Sequence, residues 1–280
     1  METLIRGSSN RIFVNNMSIF SPSPIPVLAF HRVLPYRNSI SVTIDEFEHY
    51  LQWFKSKGFR TLSSDEFERA LAGEEVTEQG LVITFDDGYR DNCYVAAPLL
   101  KKYGMNAILF VITGKVKDEQ TRLPTDTWLE EGDERYLSWE EIKSMTDSGI
   151  FELHSHTHSH DPSWVNNSSA DIRQVVRQDV SRSVQILRDR GYKHEIHLAW
   201  PWGYFRQEWL DDLEALGIRF SYTMRPGTNY PGCDTRKIMR LAGEKPFDYL
   251  KPLCSVGSSP ALGWALNSAS RTWSAMRGRP

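Results

Sequence analysis

Two clusters of residues in this 280-residue chain have the types and spacing to do chemistry. The first is Asp86-Asp87, inside the stretch Leu81–Asn92, LVITFDDGYRDN. Adjacent carboxylates repel, so a pair at the mouth of a buried strand needs something to hold it. A metal ion is the commonest answer: one carboxylate binds it and the neighbour takes and returns protons. The same dipeptide also suits a polar loop whose aspartates cap the next helix. The second cluster is His154–His160, which holds four of the chain's eight histidines. Each imidazole needs a hydrogen-bond partner when buried, and together they repel when protonated. A disordered metal-binding tract is the plainer alternative, and it fits poorly in mid-chain between a strand and a loop. His156 and His160 are four apart, so one helical turn puts both rings on one side. With Asp87 they offer two nitrogens and one oxygen and leave positions open for water. That set suits catalytic zinc or another divalent first-row metal such as cobalt or nickel.

The elements that position these residues follow from periodicity. Leu81–Phe85 reads as a buried strand, apolar and too short for a helix, and Gly88 suggests a sharp turn after it. Val27–Phe30 is the first strand and ends at His31, which either faces a site or is packed at the strand end. Thr43–Gly58 reads as a helix with Ile44, Phe47, Tyr50, Leu51 and Phe54 on one face. Phe59–Leu62 is a strand, and Ser63 and Glu66 open a second helix as a capping box. A helix from about 92 to 103 precedes the strand Ala107–Ile112. Residues 113–136 show no periodicity and read as an inserted loop. Ser138 and Glu141 form a second capping box before a helix ending near Gly149. Ile150–Leu153 is a strand, 170–190 a polar helix, Ile196–Trp200 a strand, 208–216 a helix and Ile218–Thr223 a strand. Repeated β-α units argue for parallel strands with helices outside, in a barrel or an open sheet, and the length favours one barrel-like domain. Asp86-Asp87, the histidines and Ala199-Trp200-Pro201-Trp202-Gly203 all lie at C-terminal ends of these strands, where active sites of parallel α/β folds gather.

These segments resemble the polysaccharide deacetylase family, the NodB-homology domain of carbohydrate esterase family 4. Thr84–Asp87 matches its TFDD motif, His156–His160 its H-[ST]-x-x-H motif, and Pro201-Trp202-Gly203 the end of its third motif. The resemblance covers about residues 26–250 and implies an α/β fold, a distorted (β/α)7 barrel. It implies Asp86 as general base, Asp87, His156 and His160 as the metal triad, and hydrolysis of an N-acetyl group from an amino sugar. The backbone N–H of Trp202 then helps to hold the oxyanion. Three departures stand out. Ala199 occupies a position where many members carry an arginine that orients the base, although a subset that includes biofilm-polysaccharide deacetylases shares the A-[YW]-P-[YWF]-G form. His154 stands where Gly or Ala is common. The family's late histidine acid is absent, so the proton for the leaving amine must come from elsewhere, with His31, His154 and His158 as candidates. His31 comes first, because AFHRV resembles the first-strand motif of the same subset.

Composition sets the remaining bounds. A net charge of −3 gives no footprint for bulk nucleic-acid binding. Three scattered cysteines form neither a disulfide framework nor a cysteine zinc site. The first 26 residues show no signal-peptide pattern and no run is apolar enough to span a membrane, so a cytoplasmic location is expected. A cytoplasmic enzyme of this kind would act on a glycolipid or nucleotide-linked precursor, an N-acetylated sugar or oligosaccharide. Residues 1–25 read as a lead-in and 251–280 as a flexible basic, aromatic tail, with peripheral membrane contact as an alternative. Two other readings remain: hydrolysis of a different amide such as a formamido sugar or a ureide, and a catalytically weak carbohydrate-binding relative.

Overall fold

The computed structural model describes residues 23–257 and 259, apart from 75, 77–78 and 119–134. Most of the inserted loop, the lead-in before residue 23 and the tail beyond 259 lie outside the described residues.

The elements in order are strands β1 (Ile25–Phe30), β2 (Arg32–Leu34) and β3 (Ser41–Thr43), helix α1 (Ile44–Ser56), β4 (Phe59–Thr61), α2 (Ser64–Leu71), β5 (Gln79–Phe85), α3 (Ala97–Tyr103), β6 (Ala107–Val111), α4 (Trp139–Asp147), β7 (Phe151–Ser155), α5 (Ile172–Asp189), β8 (Leu198–Ala199), α6 (Gln207–Leu213), β9 (Ser221–Tyr222), β10 (Thr228–Asn229), β11 (Leu241–Ala242) and α7 (Phe247–Gly257). Both capping boxes form as expected, at Ser63–Glu66 and Ser138–Glu141. A third, Thr43–Glu46, opens α1. In each, the cap hydroxyl and the glutamate satisfy backbone amides that the first helical turn leaves unbonded.

Neighbouring strands β1, β5, β6, β7, β8 and β9 run parallel, and β11 runs parallel to β1 on its other side. The segment Ile238–Ala242 closes the ring. Ile238 bridges Tyr222 of β9, while Leu241 and Ala242 pair with Leu28 and Ala29 of β1. Seven parallel strands thus form a distorted (β/α)7 barrel, because a closed sheet leaves no unpaired central edge. The closure is irregular: β8, β9 and β11 are two residues long each, shorter than the apolar runs Ile196–Trp200 and Ile218–Thr223 suggested.

One correction concerns a helix. The helix expected from 92 to 103 begins as a π-helical turn over Asn92–Ala96, and the α-helix proper starts at Ala97. Helix α7 runs to Gly257 and buries Leu250 and Cys254 against the core. No described helix is long and apolar enough to cross a membrane.

Candidate active site

Strand β5 is buried from Gly80 to Phe85 and delivers Asp86 and Asp87 to the C-terminal end of the barrel. The chain turns at once. Asp87 has φ 71° and Gly88 φ 82°, and a Cβ on Gly88 would stand 2.9 Å from Val111 Cγ1. Only glycine passes β6 that closely. The rest of the motif ties down the first strand. Asp91 accepts from Arg32 Nε and from the amide of Val33, and Asn92 donates to the carbonyl of His31. Arg90 donates to Glu141 at 2.6 Å, which locks the motif to α4. LVITFDDGYRDN therefore organises the site through its last three residues as much as through Asp86 and Asp87.

Asp87, His156 and His160 converge, with their ligand atoms all within 4.8 Å of one another. His156 Nε2 lies 3.3 Å and His160 Nε2 3.8 Å from Asp87 Oδ1. The route to this geometry is not the helical turn that the spacing suggested. His156–His160 is irregular, with φ 68° at Thr157 and 51° at His160. Among the described residues, the non-glycine residues with positive φ are Asp87, Thr157, His160 and Trp202. All four lie in the three motif segments, the pattern of backbone strain held at a functional site by the surrounding fold.

A cation fits this set on the chemistry of its donors. Asp87 Oδ1 is buried and accepts no hydrogen bond. His156 Nδ1 contacts the carbonyl of Ala199 at 2.8 Å, and a carbonyl can only accept. Nδ1 therefore carries a proton, and Nε2 is the ring nitrogen that faces Asp87. An imidazole nitrogen and a carboxylate oxygen that face each other at this distance are both electron-pair donors to a cation placed between them.

Asp86 is 2% exposed and meets Arg240, which is 1% exposed. Nη1 and Nη2 donate to Oδ1 and Oδ2 at 2.7 and 2.8 Å, a bidentate pair. Burial raises the carboxyl's pKa, but Arg240 first, then His156 and His31, outweigh it and hold Asp86 below the usual carboxylate range. Arg240 was missed by sequence reasoning. It fills the need left by Ala199, and its signal was a lone cation in the otherwise apolar run Ile238–Ala242. Asp87 is likewise lowered: its own burial opposes ionisation, and His156, His31 and His160 overcome it.

His31, at the end of β1, is partly buried, and its Nδ1 lies 2.7 Å from Glu244 Oε1. Burial disfavours its charge, but Glu244, followed by Asp86 and Asp87, raises its pKa to about 9. Trp202 sits on the turn after β8. The amides of Gly203 and Tyr204 bond to the carbonyls of Trp200 and Pro201, while that of Trp202 finds no acceptor among the described residues. Its ring is 50% exposed and lies 4.3 Å from the His160 ring.

The structure does not bring His154 to the site. It is fully buried, accepts the amide hydrogen of His197 at Nδ1, stacks on the His197 ring at 4.6 Å and meets His194 at 4.9 Å. Position along the strand is the reason: His156 lies just past the end of β7, at the barrel mouth, whereas His154 is still inside the strand and packs against Phe110. His158 is turned to Thr113, 3.1 Å from its hydroxyl.

Comparison with known proteins agrees with this geometry. The polysaccharide deacetylase family model matches residues 73–221, more than half of the chain. A putative polysaccharide deacetylase, YxkH of Bacillus subtilis, is 29% identical over 207 residues, which is 74% of this chain and 66% of that protein. The poly-beta-1,6-N-acetyl-D-glucosamine N-deacetylase of Staphylococcus epidermidis is 26% identical over 72% of this chain and 67% of its own. The chain thus spans about two thirds of the length of these relatives. Among solved structures, IcaB from Ammonifex degensii superposes with a TM-score of 0.71 at 24% identity, covering 85% of this chain and 99% of that one. A de-N-acetylase from Aggregatibacter actinomycetemcomitans gives 0.69 at 22%, covering 82% and 99%. The chain belongs to the polysaccharide deacetylase family.

Proposed function

We propose that this member of the polysaccharide deacetylase family, a hydrolase of amide bonds, removes the N-acetyl group from an amino sugar in a glycan or glycolipid precursor. The observation that carries the reading is the paired arrangement of Asp86 on Arg240 beside Asp87, whose Oδ1 faces two histidine nitrogens and accepts no hydrogen bond. One carboxylate is free to bind a cation and its neighbour is aimed and ionised for proton transfer. Relatives named as poly-beta-1,6-N-acetyl-D-glucosamine N-deacetylases support the amide and the sugar.

Asp87, His156 and His160 would hold a divalent cation, with zinc the first choice for a set of two imidazoles and a carboxylate. Bound there, it supplies a Lewis acid that polarises the amide carbonyl and acidifies water. The other roles belong to the protein. Arg240 occupies one lone pair on each Asp86 oxygen and leaves others available, so Asp86 takes a proton from the attacking water while its plane stays fixed. The Trp202 amide offers a hydrogen bond to the developing oxyanion. His31, charged at neutral pH through Glu244, gives a proton to the leaving nitrogen. A cation at the triad offsets the pull of Asp86 and Asp87 on His31, and the contact with Glu244 remains. The balance is one water and one amide in, acetate and a free amine out.

The test is acetate release from N-acetylated glycolipids, sugar nucleotides and oligosaccharides by the zinc-loaded chain, with Asp86→Asn as control. Release by the wild type alone is expected. No release from any of them by a chain that binds zinc would refute N-deacetylation and point to another amide, such as a formamido sugar.

A further inference from the structure

We propose that Arg225 forms a subsite for an anionic oxygen group, a phosphate or a carboxylate, carried by the glycan next to the sugar that is deacetylated. The proposal rests on the deacetylase reading for the identity of that sugar. The anion is argued from the surroundings of Arg225 alone.

Arg225 lies three residues beyond β9, on the face of the barrel to which β5 brings the aspartates, β7 the histidines and β8 Trp202. Its segment abuts the Trp202 turn: a Cβ on Gly203 would stand 2.3 Å from the amide nitrogen of Met224. Strand β9 is next to β8, and β8 is next to β7. At about 4.8 Å per strand, the Arg225 strand is on the order of 10 Å from the strand that delivers His156, a span that reaches the sugar next to the one deacetylated. Trp202 follows the intervening strand β8, and its half-exposed ring offers a sugar a flat face.

The backbone here is fixed. The Arg225 amide donates to Thr223 Oγ1 at 3.2 Å, and its carbonyl accepts from the Arg240 amide at 3.0 Å. The side chain has no counter-charge. Its guanidinium carbon stands 5.1 Å from the centroid of Phe205, its Nε is buried without an acceptor, and among the described residues no carboxylate faces it. Arg32, Arg90 and Arg240 are each met by an aspartate or glutamate. Burial lowers the pKa of Arg225, and no carboxylate opposes it. A partly desolvated cation held on a rigid stem without a counter-charge is unfavourable in the free protein, and contact with an aromatic face offsets only part of that. The planar fork of a guanidinium matches two oxygens of a phosphate or carboxylate. A substrate carrying such a group would supply the missing charge.

The test uses the full zinc-loaded chain and three probes: an N-acetylhexosamine 1-phosphodiester, the same sugar linked to a hexuronate, and a neutral N-acetylhexosamine disaccharide. Affinity by calorimetry and kcat/KM for acetate release are measured for wild type, Arg225→Ala and Arg225→Lys. The expected result is tighter binding of at least one anionic probe, lost by roughly 10- to 100-fold in Arg225→Ala as charge-assisted hydrogen bonds disappear. The neutral probe should be unchanged, and Arg225→Lys should recover part of the loss. Whichever anionic probe responds tells phosphate from carboxylate. Equal affinity for all three probes, or an equal loss on all three in Arg225→Ala, overturns the subsite and leaves Arg225 as packing on Phe205. Charge-selective binding without hydrolysis of any probe upholds the subsite and counts against the deacetylase reading. Hydrolysis without charge preference does the reverse.

Discussion

Replacing Arg240 with Met should damage the protein in a way that grows with pH. In the wild type both partners are buried and Asp86 is held ionised, so its stabilising contribution is present above the ordinary carboxylate pKa and is lost below it, as pH falls through the lower folded value. Without Arg240, the strongest influence opposing burial is gone, and the folded carboxyl titrates above its unfolded value. The sign then reverses: the variant is most stable in acid and loses stability as pH rises through the new pKa. Leaving a buried charge uncompensated costs about 3–5 kcal/mol, so a loss of that order is expected at pH 8 and a much smaller one near pH 4. A pH-independent part remains, because Arg240 also donates to the carbonyl of Thr223 at 3.0 Å and to Thr84 Oγ1 at 3.2 Å, each worth about 1 kcal/mol. Urea unfolding of the metal-free protein between pH 4 and 8 measures both parts. In Asp86→Asn/Arg240→Met the pH-dependent part should vanish and leave a coupling of about 2 kcal/mol or more. In the single variant the acid limb of kcat/KM should move to higher pH. A loss that is the same at every pH, together with additive effects in the double variant, would show that Arg240 is packing and does not hold the base.

Zinc titration should give one ion per chain and raise the melting temperature of wild type and Asp86→Asn, by about 2.7 kcal/mol of stability at a hundredfold excess over Kd. His156→Ala should lose that stabilisation; a shift equal to wild type would remove the triad from consideration. His154 is pushed well below its ordinary pKa by burial first and then by His197 and His194. The unfolded chain therefore binds a proton that the folded one refuses, and stability should fall below about pH 6.5 by up to ~1.4 kcal/mol per unit. His154→Asn keeps an acceptor for the His197 amide and cannot titrate, so its unfolding should lack that slope; an unchanged slope assigns the acid sensitivity to other groups. Gly203→Ala should cost about 1–3 kcal/mol, since φ is 67° and the added methyl meets Met224 N. Activity should fall with it as the Trp202 turn shifts; wild-type kinetics in that variant would separate the turn from catalysis.

The parts of this site that sequence reasoning found are those where chemistry is local. Asp86 and Asp87 announce themselves because two adjacent acids conflict with an apolar strand, and the histidines because four in seven residues conflict with a packed loop. Strand and helix starts were legible for the same reason: the Ser63 and Ser138 boxes are complete within four residues. Distant chemistry was not legible. Arg240 serves Asp86 across 154 positions, and Glu244 serves His31 across 213. Both partners come from the segment that follows Ile238, whose place beside β1 depends on barrel closure rather than on its own periodicity. The two-residue strands there are too short to show an alternating pattern. His154 misled in the opposite sense, since a histidine two residues before a site histidine shares its sequence neighbourhood but, still inside β7, is packed among His197, His194 and Phe110. The exchange of Ala199 for an arginine is intelligible in these terms. A base at the centre of a closed barrel can be oriented from any of the strands around it. Here the β8 backbone at Ala199 fixes the His156 tautomer, while the closing strand, which has no ligand to carry, supplies the guanidinium to Asp86.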